Sequence, residues 1–149
     1  MSKVADKLKE LGLILPEVAT PVANYLPFKQ AGDLVYTSGN VPSDGQVGKV
    51  GAELSVEQGY QAARNVGLRL IAILNAAAGG DLDRVEIIKV LGFVACAPGC
   101  YDSPKVVNGC SDLLVEVFGE SGKHARSAVP TSALPGNLPV EIELVARLR

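Results

Sequence analysis

The 149-residue chain has no tryptophan, one methionine and one histidine, and aromatic side chains make up only 5% of it. Its hydrophobic residues nevertheless reach 48%, so a core has to be built from Val, Leu, Ile and Ala. Such side chains suit closely packed sheets and helices, and subunit contacts in which a core continues across an interface. Metal ligands are equally scarce. Cys96, Cys100 and Cys110 form no Cys-X-X-Cys pair, and His124 is the only imidazole. A structural zinc site needs four soft ligands and a catalytic one usually three, so this inventory argues against a metal centre. The odd cysteine count reads as buried or incidental thiols. There is no excess of positive charge: 14 Lys and Arg stand against 16 Asp and Glu, a net charge of -2, and no basic run sits among aromatics. Attraction to phosphate backbones is the main term in non-specific nucleic-acid binding, so nucleic acid is not an expected partner. No stretch approaches about 18 uninterrupted apolar residues, so no membrane-spanning helix is expected. The start Met1-Ser2-Lys3-Val4-Ala5-Asp6-Lys7 lacks the apolar core of a signal peptide, which points to a cytoplasmic protein.

What is present reads as one domain over residues 1–149, a length that buries about two thirds of its unfolded surface. Val4, Leu8 and Leu11 recur at helical spacing over 4–13, and Pro16 stops that helix. Gly32-Asp33 predicts the tip of a hairpin joining 25–30 to 34–37. Ser38-Gly39-Asn40 then breaks an apolar strand, which marks either a β-bulge or a close backbone approach by a ligand. A long helix over 55–78 has capping-box spacing at Ser55 and Gln58 and ends at Gly79-Gly80. Its apolar face carries Tyr60, Ala63, Gly67, Leu70, Ile71 and Leu74, with Arg64 and Arg69 elsewhere. The run 85–95 is apolar on both faces except at Glu86 and Lys89, which predicts a central strand covered on both sides. A second long helix has Ser103 as N-cap, Pro104 in its first turn and Gly119 at its end. Segments 126–133 and 140–148 read as a closing strand pair, the first placed at an edge, bulged or short by Pro130. The result is an α+β sandwich: a mixed β-sheet with two helices packed on one face.

The chemistry-bearing residues gather late in the chain. Period-two alternation puts Val140, Ile142, Leu144 and Ala146 on one strand face and Glu141 and Glu143 on the other, downstream of Arg126. A guanidinium fork binds a carboxylate, and a nearby carboxylate takes a proton from water. Taken singly, Arg126 reads as a solvated surface side chain and the two acids as the wet face of a strand. His124 reads either as a group reaching the site or as a partly buried polar residue.

Five stretches change that balance: Asn24-Tyr25, Val35-Tyr36-Thr37-Ser38-Gly39 with Val41-Pro42, Val107-Asn108, Ala125-Arg126-Ser127, and Leu134-Pro135 leading to Val140-Glu141-Ile142-Glu143. In order and spacing they resemble the Rid/YjgF family of enamine and imine deaminases. The resemblance implies a chorismate-mutase-like fold and a homotrimer with active sites in clefts between subunits. It also implies hydrolysis of a small 2-imino acid, or its enamine tautomer, to a 2-keto acid and ammonia without a cofactor. Carried over residue by residue, Arg126 binds the substrate carboxylate and Glu141 holds or activates the attacking water. Tyr25, Ser38, Gly39 and Asn108 line the cleft, and Glu143 is a structural or surface residue. Members with deaminase activity commonly carry a cysteine where this chain has Ala128. The alternative function is a non-catalytic carboxylate-metabolite-binding or regulatory protein using the same cleft.

Overall fold

Alternation along β5 (Val140–Leu148) sets the architecture: every second residue, from Val140 to Leu148, is buried. In the computed structural model, which describes residues 2–149, this strand is the middle of a five-stranded sheet ordered β1-β2-β5-β3-β4. The others are β1 (Phe28–Ala31), β2 (Leu34–Thr37), β3 (Val85–Ala95) and β4 (Ala125–Thr131). Strand β5 runs antiparallel to both β2 and β3, while β3 and β4 are parallel. The sheet is therefore mixed.

Three α-helices accompany it: α1 (Lys3–Glu10), α2 (Val56–Ala77) and α3 (Ser103–Phe118). In α1, Val4 and Leu8 are buried, and the Asp83 carboxylate accepts from the backbone N–H groups of Lys3 and Val4 at 2.9 Å each. Those N–H groups have no partner within the helix, so Asp83 supplies one from across the fold. They in turn hold the Asp83 carboxyl below the usual carboxylate range. Helix α2 opens with the reciprocal capping box expected at Ser55 and Gln58. It packs beside α3 with main chains in contact: a Cβ at Gly109 would lie 2.0 Å from the Tyr60 carbonyl oxygen. Together these two helices bury Leu70, Ile71, Leu74, Leu113 and Leu114 against Val90, Ile142 and Leu144 of the sheet.

Four expectations need correction. The closing strands are not a pair: β3 lies between β4 and β5. Helix α3 carries the chain over the sheet so that β4 returns parallel on the outer side of β3, where Pro130, without an N–H, sits on an edge strand. The N-cap of α3 is Asp102, with no side-chain capping bond, because the Ser103 hydroxyl instead donates to the Ala128 carbonyl at 3.3 Å. The strand at 85–95 is central as expected but is covered on one face only. Leu91 and Phe93 stay half-exposed, in a face shared with Tyr36, Glu141, Glu143 and Val145. Tyr25, expected within the first strand, precedes it.

Candidate active site

Arg126 stands opposite Val90 on β3, which stands opposite Leu144 on β5. Directly paired residues share a sheet face, so Arg126 points to the helix side. There its Nη1 donates to Asn108 Oδ1 at 2.7 Å and to Ser111 Oγ at 3.2 Å, and Nη2 to the Pro104 carbonyl at 3.4 Å. Asn108 and Ser111 lie one turn apart on α3 and present adjacent acceptors. All three acceptors are neutral. The guanidinium is oriented without having its charge cancelled, which leaves it able to attract an anion.

His124 supports the same cluster. Its Nδ1 lies 2.6 Å from the Gly122 carbonyl oxygen and its Nε2 2.9 Å from Ser111 Oγ. A carbonyl only accepts, so Nδ1 carries the proton in the neutral ring and Nε2 accepts from the Ser111 hydroxyl. Ser111 thus donates to His124 while accepting from Arg126. His124 reaches Arg126 only through Ser111, two hydrogen bonds away. Ala128, at the position of the family's cysteine, shares the helix-side face with Arg126 and packs against the core.

A second cluster forms where β2 ends. Tyr36 pairs with Val145, but Asn40 pairs with Ile142, exchanging hydrogen bonds of 2.8 and 2.9 Å. Four steps along one strand match three along the other, so Ser38-Gly39 is a bulge. Thr37 bridges the irregularity, its hydroxyl accepting from Leu144 N at 3.0 Å. The bulge also serves close approach: a Cβ at Gly39 would lie 3.0 Å from Glu141 Cδ and Oε2. Of the two sequence readings, the bulge is found, and the group that approaches Gly39 closely is the Glu141 side chain. The Ser38 hydroxyl donates to the Leu26 carbonyl at 2.6 Å and keeps its acceptor capacity, and half-exposed Tyr25 lies across a cleft of about 210 Å³ from Ser38 and Gly39.

Glu141 is paired with Phe93 and lies on the open face of the sheet. Partial burial, and then the charge of Glu143 on the same face, raise its carboxyl above the usual range. A carboxylate shifted this way is a better base near neutrality than a solvated one. The residues singled out in the sequence therefore form two groups within one chain, Arg126 with Asn108 and Glu141 with Gly39, Ser38 and Tyr25. Sequence reasoning missed Ser111, whose spacing from Asn108 was the available signal, and Arg69, which lines the cleft. Cys110 sits between Asn108 and Ser111 on α3, but burial, only partly offset by the Arg126 charge, pushes its thiol up to about 12 and leaves it unreactive. Among the described residues no three His, Cys, Asp or Glu side chains converge as metal ligands, and no helix is long and apolar enough to cross a membrane.

A mixed sheet carrying two long helices on one face, with an arginine held on its edge by neutral acceptors, defines an α+β protein. The chain belongs to the YjgF/chorismate mutase-like family: the model described as "YjgF/chorismate_mutase-like, putative endoribonuclease" matches residues 5–148. It is 38% identical over 152 residues to protein TCP17 of Trypanosoma cruzi, covering 98% of this chain and 94% of that protein. The crystal structure of a "putative endoribonuclease" from Shewanella oneidensis superposes with a TM-score of 0.93 at 36% identity, covering 99% of this chain and all of that one. RidA from an Antarctic Psychrobacter is a more distant likeness, with a TM-score of 0.62 and 26% identity over 89% of this chain and 94% of its own.

Proposed function

We propose that the protein hydrolyses small 2-imino acids, or their enamine tautomers, to 2-keto acids and ammonia. The observation that carries this reading is the Arg126 fork, fixed by Asn108, Ser111 and the Pro104 carbonyl with no carboxylate among its partners. Arg126 holds the substrate carboxylate bidentately. The imine nitrogen is protonated, which makes its carbon electrophilic. Glu141 takes a proton from water as the oxygen adds to that carbon, giving a carbinolamine. Glu141 returns that proton to the amine nitrogen and then takes the hydroxyl proton as the C–N bond breaks, the C=O forms and ammonia leaves. Free imines already hydrolyse in water, so positioning and one acid-base group are sufficient chemistry and no cofactor enters the scheme.

The site proposed is shared between copies. Arg126 and Glu141 lie on opposite faces of their own sheet, so the two groups act on one substrate when a second copy brings its Arg126 cluster to the Gly39–Glu141 cluster of the first. A homotrimer closes this head-to-tail contact into a ring. The half-exposed Leu91 and Phe93 and the exposed Tyr36 supply an apolar face for it. The endoribonuclease named for some relatives fits this chain less well, since a net charge of -2 gives little attraction for a phosphate backbone.

The test is release of ammonia and keto acid from 2-iminopropanoate and 2-iminobutanoate, generated in place by an amino-acid oxidase. Acceleration over the spontaneous rate that is lost in Arg126→Ala is the expected result. No acceleration by folded protein sinks the deaminase reading and leaves the second one, a protein that binds a carboxylate metabolite without turning it over.

A further inference from the structure

Arg64 and Arg69 lie on the same helix and meet different fates. Arg64 reaches Glu116 on α3 at 2.9 Å. Arg69 has no hydrogen bond or ion pair among the described residues, and its Nε is buried without an acceptor. No acidic side chain among the described residues pairs with it, so its charge is left for an anion in the cleft. The side chain lines the same cleft as Tyr25, Ser38 and Gly39, on the side away from Glu141. The rest of the wall is largely carbon, including Pro21, Val41 and Ile73. A space of about 210 Å³ is smaller than the roughly 300–1,000 Å³ of sites for drug-sized ligands. It admits a few methylene groups and a small charged terminus.

We infer that Arg69 receives a second carboxylate, so that the preferred substrate is a short dicarboxylic imino acid rather than a simple aliphatic one. The inference rests on Tyr25, Ser38 and Gly39 being substrate contacts, as proposed above. The carboxylate next to the imine goes to Arg126. The carbon chain passes the Ser38-Gly39 bulge and runs along the apolar wall. The distal carboxylate meets the Arg69 guanidinium where that residue lines the cleft.

The experiment is calorimetric titration of the purified protein with two keto acids that differ in the second carboxylate, 2-oxobutanoate and 2-oxoglutarate. Wild type is expected to bind 2-oxoglutarate more tightly, and the ratio of the two affinities to fall by roughly tenfold to a hundredfold in Arg69→Gln, the range for one charge-assisted contact. Arg69→Lys keeps the charge and loses the fork, and its ratio should lie between. Thermal melting of both variants checks that each is folded. Equal affinities in wild type, no binding of either probe, or an unchanged ratio in folded Arg69→Gln overturns the inference. Arg126→Ala is expected to weaken both probes. Because the readout is binding, absence of imine turnover with an Arg69-dependent ratio removes the deaminase reading and leaves the dicarboxylate site standing.

Discussion

Arg126 and Glu141 belong to the same sheet and face away from each other, the arginine toward α3 and the acid toward the open side. Neither is free to swing across, since the strands between them are part of the buried core. In the proposed reaction the chain alone therefore holds two half-sites, each with one of the two groups.

This separation makes the shared site testable without a complex structure. Arg126→Ala and Glu141→Gln are each expected to abolish turnover. Co-expressed in equal amounts, they should recover about a quarter of wild-type activity, because a mixed ring of three contains a single junction with both groups intact and about three quarters of random rings are mixed. No recovery from verified mixed oligomers would place both groups in one copy and refute the arrangement.

Ser111 is expected to act through Arg126. Its hydroxyl accepts from the guanidinium and donates to His124, so Ser111→Ala removes one of the three contacts that aim the fork. KM should rise by roughly tenfold with a smaller change in kcat, the pattern for an interaction made equally in ground and transition states. His124→Asn should shift KM in the same direction by less. A loss confined to kcat would mean that Ser111 takes part in the chemistry.

Local signals in the sequence were enough for the elements and for naming Arg126, Asn108, Gly39 and Glu141, which the fold gathers into two clusters. The capping box at Ser55, the hairpin at Gly32-Asp33 and the alternation along β5 each depend on residues close together, and each is found. Strand order was not legible, because nothing near 126–133 or 140–148 records that β3 inserts between them. That choice is made by the α3 crossover. Apolarity on both faces of β3 was visible, but not that one face lacks cover within the chain. Arg69 was passed over since a polar residue off the apolar stripe of a helix ordinarily meets solvent, and only the fold of residues 19–27 against 38–41 encloses it.

Two glycines with short contacts should respond differently to the same methyl group. At Gly39 the methyl meets the flexible end of Glu141, and the backbone φ is not left-handed, so Gly39→Ala is expected to fold normally while displacing the carboxylate and losing most activity. At Gly109 it meets the Tyr60 main chain at 2.0 Å, which cannot swing away. Gly109→Ala should cost about 1–3 kcal/mol or more, as overpacking does, by separating α2 from α3. Denaturant melts of both variants decide this. Equal destabilisation would show that the Gly39 contact, too, is set by backbone.

The raised Glu141 carboxyl predicts opposite effects on stability and activity. A group that binds its proton more tightly in the folded state weakens folding as pH rises from the unfolded to the folded pKa, and the loss persists above both. Ionised Glu141 therefore opposes folding at neutral pH, with partial burial the larger cause and Glu143 the smaller. Glu141→Gln should melt at a higher temperature than wild type at pH 7, with the gap closing below the ordinary carboxylate range, where both side chains are neutral. Turnover needs the ionised form, so wild-type kcat/KM should fall on the acid side with an apparent pKa above that of a solvated glutamate. Glu143→Gln removes the second cause and should move that limb to lower pH. A Glu141→Gln variant no more stable than wild type at pH 7, with the acid limb unmoved in Glu143→Gln, would mean that the carboxylate is fully solvated in the working protein and that its environment does not tune it as a base.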